Sequence, residues 1–284
     1  MPQHAAKQAP NTVRYPEIKR RAKLCLREFR RDFKARRRPV VLTDATADWR
    51  AHSKWGFDFF RREYSDTSVT VSRYDGQWYR ASDASQMRLG QFIDGLLSKD
   101  WRSFPFYIRD YWGLFEAHPE LLGDCKPPAY FFDWFERLPR FMRRPGPRFF
   151  MGPKGAITPL HVDIWSTHAW LTQIEGRKRW ILIPPKQQSL LESARVQAPG
   201  LKKFRVDPES EEFARQFPGV QPIECTLSPG ETIFVPSGWL HHVISLDAGI
   251  SVTWNFMGPG CFFPVLPLAV NDLVFKRILR RSSH

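Results

Sequence analysis

Thr158-Pro159-Leu160-His161-Val162-Asp163 sets an imidazole and a carboxylate two residues apart in a short run of strand character. In a strand, residues i and i+2 point to the same face, so His161 and Asp163 project together. Side by side they can occupy two adjacent positions on a divalent metal, and a third ligand has to arrive from another strand. Val235-Pro236-Ser237-Gly238-Trp239-Leu240-His241-His242-Val243 offers one, because a Pro/Gly turn there leads into a strand that opens with two histidines. Alternation lets only one of that pair face the shared interior and does not say which. A His-x-Asp pair alone is also an ordinary buried, hydrogen-bonded histidine. Its weight depends on what surrounds it.

The surroundings read as β. Gln173–Pro185 has the pattern of a hairpin whose second strand stops at Pro184-Pro185, and Ser228-Pro229-Gly230-Glu231 is a tight turn into the buried strand Thr232–Val235. Gly249–Phe256 closes the series, with Thr253 and Asn255 alternating with apolar residues. Upstream, the periodicity predicts a helix over 15–37, a strand at Pro39–Thr43, a turn entering a helix at Ser53–Phe60, and a second amphipathic helix at Leu89–Leu97. Thr67–Tyr74 reads as a strand ending in an Asp75-Gly76 hairpin turn. Ser103–Ile108 and Arg148–Met151 read as further strands, and 186–194 and 266–280 as helical. With no repeat and no long linker, the expectation is a single, mainly β domain with N-terminal helices, built as a jelly roll or barrel. Its parts would be a loose tail (1–13), a helix-rich part (14–110), a β core (111–260) and a closing helix with a basic tail (261–284).

Composition bounds the class. The 284 residues are 42% hydrophobic and 14% aromatic, enough for a core and against a disordered chain. The longest nearly apolar stretch, Phe262–Val270, falls far short of the ~20 residues a membrane helix needs. Four scattered cysteines without C-x-x-C spacing suit a reducing compartment, and the expected location is the cytoplasm. The net charge of +14 sits at the ends: residues 14–38 carry +9, and Lys276, Arg277, Arg280 and Arg281 add +4. Such an end could attract an acidic or nucleic-acid partner. The plainer reading is a solvated helix face, because Ile18, Ala22, Cys25, Phe29 and Phe33 recur like the buried stripe of helix 15–37.

Over residues 148–256 the chain resembles the Jumonji-C (cupin-like) family of Fe(II)- and 2-oxoglutarate-dependent oxygenases. The resemblance rests on His161-Val162-Asp163, Gly176-Arg177-Lys178-Arg179-Trp180, the Pro229-to-His241 run and the last strand, in the family's order. It extends more weakly to 39–110 through Pro39-Val40-Val41, Trp49 and Trp55. The implied fold is a double-stranded β-helix with helices packed around it. The resemblance implies that His161, Asp163 and His241, the histidine directly after Trp239-Leu240, bind Fe(II), the two-histidine, one-carboxylate set of such enzymes. It implies that Lys178 pairs with the C5 carboxylate of 2-oxoglutarate and that Thr158 contacts the same end. Thr253 and Asn255 would lie near metal and cosubstrate, and Tyr107 would join the pocket. Where some relatives place an Asn on the strand after His-x-Asp, this chain has Leu171-Thr172.

The implied reaction consumes O2 and 2-oxoglutarate and releases succinate and CO2, with hydroxylation of a protein side chain as the first choice. N-methyl-lysine demethylation, or oxidation of a small molecule or RNA, is the alternative. A non-catalytic cupin-like binding module is the reading from a different class, because fold alone does not decide function. Lys178 with Thr158 speaks against it, since a bare metal barrel has no need of a lysine aimed at a dicarboxylate.

Overall fold

Short bursts of alternating residues become two facing sheets in a computed structural model, which describes residues 13–74, 79–98, 103–137, 146–163, 167–196 and 202–258. The strands in chain order are β1 (Arg20–Arg21), β2 (Val40–Leu42), β3 (Ser68–Tyr74), β4 (Tyr79–Arg88), β5 (Phe106–Tyr111), β6 (Arg148–Gly152), β7 (Ile157–Val162) and β8 (His168–Glu175). They continue as β9 (Lys178–Ile183), β10 (Arg195–Val196), β11 (Lys202–Phe204), β12 (Ile223–Leu227), β13 (Thr232–Val235), β14 (Leu240–Ser245) and β15 (Gly249–Phe256). One sheet runs β1-β2-β13-β8-β15-β6-β5-β3-β4, and the other runs β10-β11-β7-β14-β9-β12.

From β7 to β9, and again at β12–β13 and β14–β15, the chain changes sheet at each step. That alternation makes a double-stranded β-helix, as the resemblance implied. It also corrects the hairpin expected over Gln173–Pro185. β8 already has both edges filled, by β13 and β15, so β9 cannot fold back on it and pairs instead with β12 and β14. Gly176 makes the crossing at φ +72°, where a side chain would be strained.

Interior and exterior are packed differently. Between the sheets lie Ala169, Leu171, Ile233 and Val235 from one side and Trp180, Leu182, Leu227 and Val243 from the other. The outer face of the larger sheet (Phe149, Trp170, Phe234, Phe256) is covered by Trp55, Phe60, Phe92 and Phe131. Phe60 and Phe92 come from the helices Phe57–Tyr64 and Leu89–Ser98, the second within a residue of its expected span. On the outer side of the smaller sheet, Phe204 of β11 packs with Leu191 and Phe213, of which Leu191 sits in a 3-10 helix, Pro185–Ala194, at the expected place. No helix among the described residues is long and apolar enough to cross a membrane.

The helix expected over 15–37 is not formed. Ile18 N–H donates to Glu224 O at 2.7 Å, Val41 N–H donates to Lys19 O at 3.0 Å, and β1 runs parallel to β2. Only Leu26–Glu28 is α-helical, followed by a π-helical stretch over Phe29–Lys34. Ile18, Phe29 and Phe33 are buried as the periodicity required, but Ala22 and Cys25 are exposed. Hydrogen bonds offered by the edge of the sheet override a local pattern that a strand-then-helix path satisfies as well. The tail at 1–12, the Asp75-Gly76 turn and the closing segment 261–284 lie outside the described residues.

Candidate metal centre

β7 and β14 are antiparallel neighbours, and their register sets His161 directly opposite His241. Asp163 follows β7 at once. Its Oδ1 lies 3.9 Å from His161 Nε2 and 3.8 Å from His241 Nε2. Each ring is held from behind, with His161 Nδ1 2.8 Å from Pro159 O and His241 Nδ1 3.3 Å from Trp239 O. A proton on Nδ1 toward those carbonyls leaves the Nε2 lone pairs facing Asp163. Burial, then the neighbouring His241, holds His161 well below the usual histidine range, which keeps its ring neutral. His242 points to the opposite side, and burial presses it down to about 3.

The pairing of β7 slips by one residue between His241 and Val243, so that Thr158 stands opposite Val243. The extra residue falls at Pro159-Leu160, where a proline's missing N–H breaks no ladder bond. Through this bulge Thr158 and His161 both face the interior although they are three positions apart. Trp180, opposite Val243 on β9, shares that level. Its ring stacks on His241 (centroids 5.8 Å, 29°), and its buried indole N–H has no hydrogen-bond partner.

One level deeper, Lys178 pairs with Ser245 on β14. Lys178 is 4% exposed; its Nζ donates to Ser251 Oγ at 2.6 Å, with Tyr107 Oη at 3.4 Å and the Phe150 ring at 5.2 Å. Tyr107 is also hydrogen-bonded with Ser245. Burial alone pushes the ammonium down to about 7, and among the described residues no carboxylate pairs with it. On β15, Thr253 donates to Trp170 O and Asn255 Nδ2 donates to Thr167 Oγ1 at 3.0 Å. Leu171 faces inward opposite Thr253, whereas Thr172 turns outward and shares a 2.7 Å hydrogen bond with Thr232.

Three polar groups of this interior escaped the sequence reading. Ser251 sits two residues before Thr253, so alternation alone could have put it on the same face. Ser245 reaches Lys178 only through the register of two strands, and Trp180 stood out only as the end of the Gly176-to-Trp180 motif, with nothing to mark its indole N–H.

The profile of the cupin-like domain family matches residues 26–259. The chain belongs to the cupin-like domain family. Among the relatives of this cupin-like chain, the "Bifunctional arginine demethylase and lysyl-hydroxylase psr-1" of Caenorhabditis briggsae is 33% identical over 82% of this chain and 59% of that protein. The "2-oxoglutarate and iron-dependent oxygenase JMJD4" of Gallus gallus is 30% identical over 86% and 60%. The "Arginine-specific demethylase JMJ20" of Arabidopsis thaliana is 28% identical over 81% and 54%. The cupin-like chain thus spans little more than half the length of these relatives.

Proposed function

We propose that the chain is an Fe(II)- and 2-oxoglutarate-dependent oxygenase that hydroxylates a protein side chain. The observation that carries this reading is a buried, desolvated lysine without a carboxylate, set deep in the interior that also holds two imidazoles and an aspartate. A buried ammonium is costly until an anion joins it, and a plain metal barrel has no use for one. Two histidines and one carboxylate on one side of a metal suit Fe(II) with positions left open. The unpartnered indole N–H of Trp180, between Lys178 and the histidines, is a second group that fits an anionic ligand.

When bound, the iron and 2-oxoglutarate supply the oxidation: O2 gives one oxygen atom to the substrate and the other to succinate, and CO2 is released. The chain's own residues bind and exclude. In this reading His161, Asp163 and His241 hold the metal, and the two carbonyls behind the rings fix their direction. Lys178 takes the far carboxylate, with Ser251 and Tyr107 orienting its ammonium. Thr158, one level up, offers a hydroxyl, and Thr253 and Asn255 belong to the wall on the last strand. Leu171, Leu182 and Val243 keep water out, which strengthens every charge contact inside.

The printed names of the relatives support a protein substrate, as hydroxylase or demethylase. Attack on an N-methyl carbon is the same chemistry followed by loss of the methyl group. An acidic or nucleic-acid partner for residues 14–38 finds less support, because Arg20 is engaged with Glu231 and Thr226 O and Arg31 with Asp32. The free, buried Cys125 and Cys225 favour a reducing compartment, in our reading the cytoplasm. The test is succinate formation from 2-oxoglutarate by the Fe(II)-loaded protein, followed by NMR. Wild type should form succinate and Lys178→Ala should not. No turnover and no 2-oxoglutarate binding by wild type would end the proposal.

A further inference from the structure

His242 follows His241 in β14 and therefore faces the other way, onto the outer side of the smaller sheet. It is 3% exposed, yet neither of its ring nitrogens has a hydrogen-bond partner. A buried imidazole with both nitrogens bare is rare and calls for an explanation. Against it lies the loop Asp207-Pro208-Glu209, just ahead of the helix Glu211–Gln216. One ligand atom each from Asp207, Glu209 and His242 lie within 4.8 Å of one another.

The loop is fixed in place. Tyr15 Oη donates to Pro208 O at 2.7 Å, and Glu209 N–H donates to Asp207 Oδ1 at 2.9 Å. Charge also has to be matched. Arg179, two residues from Ile181, the partner of His242 on β9, donates to Glu209 at 2.6 Å. The same guanidinium donates through Nε to Glu224 at 3.1 Å. Glu224 and Glu209 share Arg179, and Arg14 lies 3.6 Å from Glu224, so with Asp207 the three carboxylates outnumber the two guanidiniums by one negative charge. Two carboxylates and a buried imidazole are a donor set for a divalent ion.

We propose that His242, Asp207 and Glu209 form a second metal site, for a divalent transition-metal ion of the zinc type, back to back with the His161–Asp163–His241 cluster. Mixed imidazole and carboxylate donors suit Zn(II) and its neighbours rather than Mg(II) or Ca(II). One peptide step separates a ligand of each site. The ion's role is to position: it ties the loop before the helix Glu211–Gln216 to the strand that carries His241.

The test is calorimetric titration of the metal-free full chain with Zn(II). Zinc also enters the inner cluster, so His161→Ala/Asp163→Ala serves as background. Wild type should take up two equivalents and the background variant one, with a rise in its Tm. Adding Asp207→Asn should weaken that remaining equivalent at least about 100-fold, since losing a group merely behind a ligand already costs 10–100-fold. Asp207 is exposed, so this change should leave the metal-free Tm in place. No zinc bound by the background variant, or an affinity untouched by Asp207→Asn, would overturn the proposal and leave His242 as a histidine satisfied by water.

Discussion

The rings of His161 and His241 face each other across two antiparallel strands with centroids 4.1 Å apart. Pairing between strands fixes that contact, and each ring has a carbonyl behind it. Removing either ring should therefore remove a proposed metal ligand without disturbing the sheet. His161→Ala and His241→Ala are expected to lose Fe(II) binding and 2-oxoglutarate turnover, with a circular-dichroism spectrum like wild type. Metal content after Fe(II) loading and desalting checks this.

Lys178 gives a pH prediction. Its folded value of about 7 is depressed by burial, whereas a dicarboxylate selects the charged form and raises it. Affinity for 2-oxoglutarate should be flat below about pH 7. Above it, affinity should weaken by roughly tenfold per unit until the raised value in the complex is reached. Titration calorimetry at pH 6, 7, 8 and 9 reads the slope. A profile flat up to pH 9 would contradict the assignment.

The same lysine should trade stability against function. Lys178→Met keeps length and removes a buried charge that lacks a carboxylate. We expect Tm to rise, by the equivalent of ~0.5–2 kcal/mol at pH 6, while 2-oxoglutarate binding is lost. Differential scanning calorimetry with a binding assay on the same sample decides it.

Gly176 tests the sheet crossing. A Cβ there would stand 2.2 Å from Ala248 O, at φ +72°. Gly176→Ala should cost at least about 1–2 kcal/mol from the left-handed backbone alone, read as a lower urea midpoint with unchanged slope. Unchanged stability would mean that the crossing tolerates a side chain.

The basic N-terminal segment separates packing from charge. Phe29 is fully buried against Tyr130, Phe131 and Phe234, so Phe29→Ala should cost about 3–5 kcal/mol. Arg27→Gln, on the exposed side, should stay within ~0.5 kcal/mol. Chemical denaturation of both variants distinguishes the two residues.

Much of the site was legible because it is built from alternation. His161 and Asp163 lie on one face at i and i+2, and the strands expected at Arg148–Met151, Thr232–Val235 and Gly249–Phe256 stand where their periodicity put them. Whether His241 or His242 faces inward was not legible from alternation. It depends on the register of β14 against β7, a contact between residues eighty apart. The bulge that brings Thr158 to the same face as His161 is likewise set by the partner strand. At the N-terminus the failure was of another kind. Ile18, Phe29 and Phe33 had to be buried, but their spacing fits a strand followed by a short helix as well as one long helix. The free edge of β2 made the choice, and no local pattern records it.

The most direct measurement is calorimetric titration of 2-oxoglutarate into the anaerobic, Fe(II)-loaded protein, for wild type, Asp163→Ala and Lys178→Ala. Wild type should bind one equivalent. Lys178→Ala should lose roughly two to three powers of ten in affinity, from an anion left unpaired in a dry pocket. Asp163→Ala should also lose affinity, and adding excess iron should not restore it. Binding that is unchanged in both variants would contradict a shared pocket of metal and lysine.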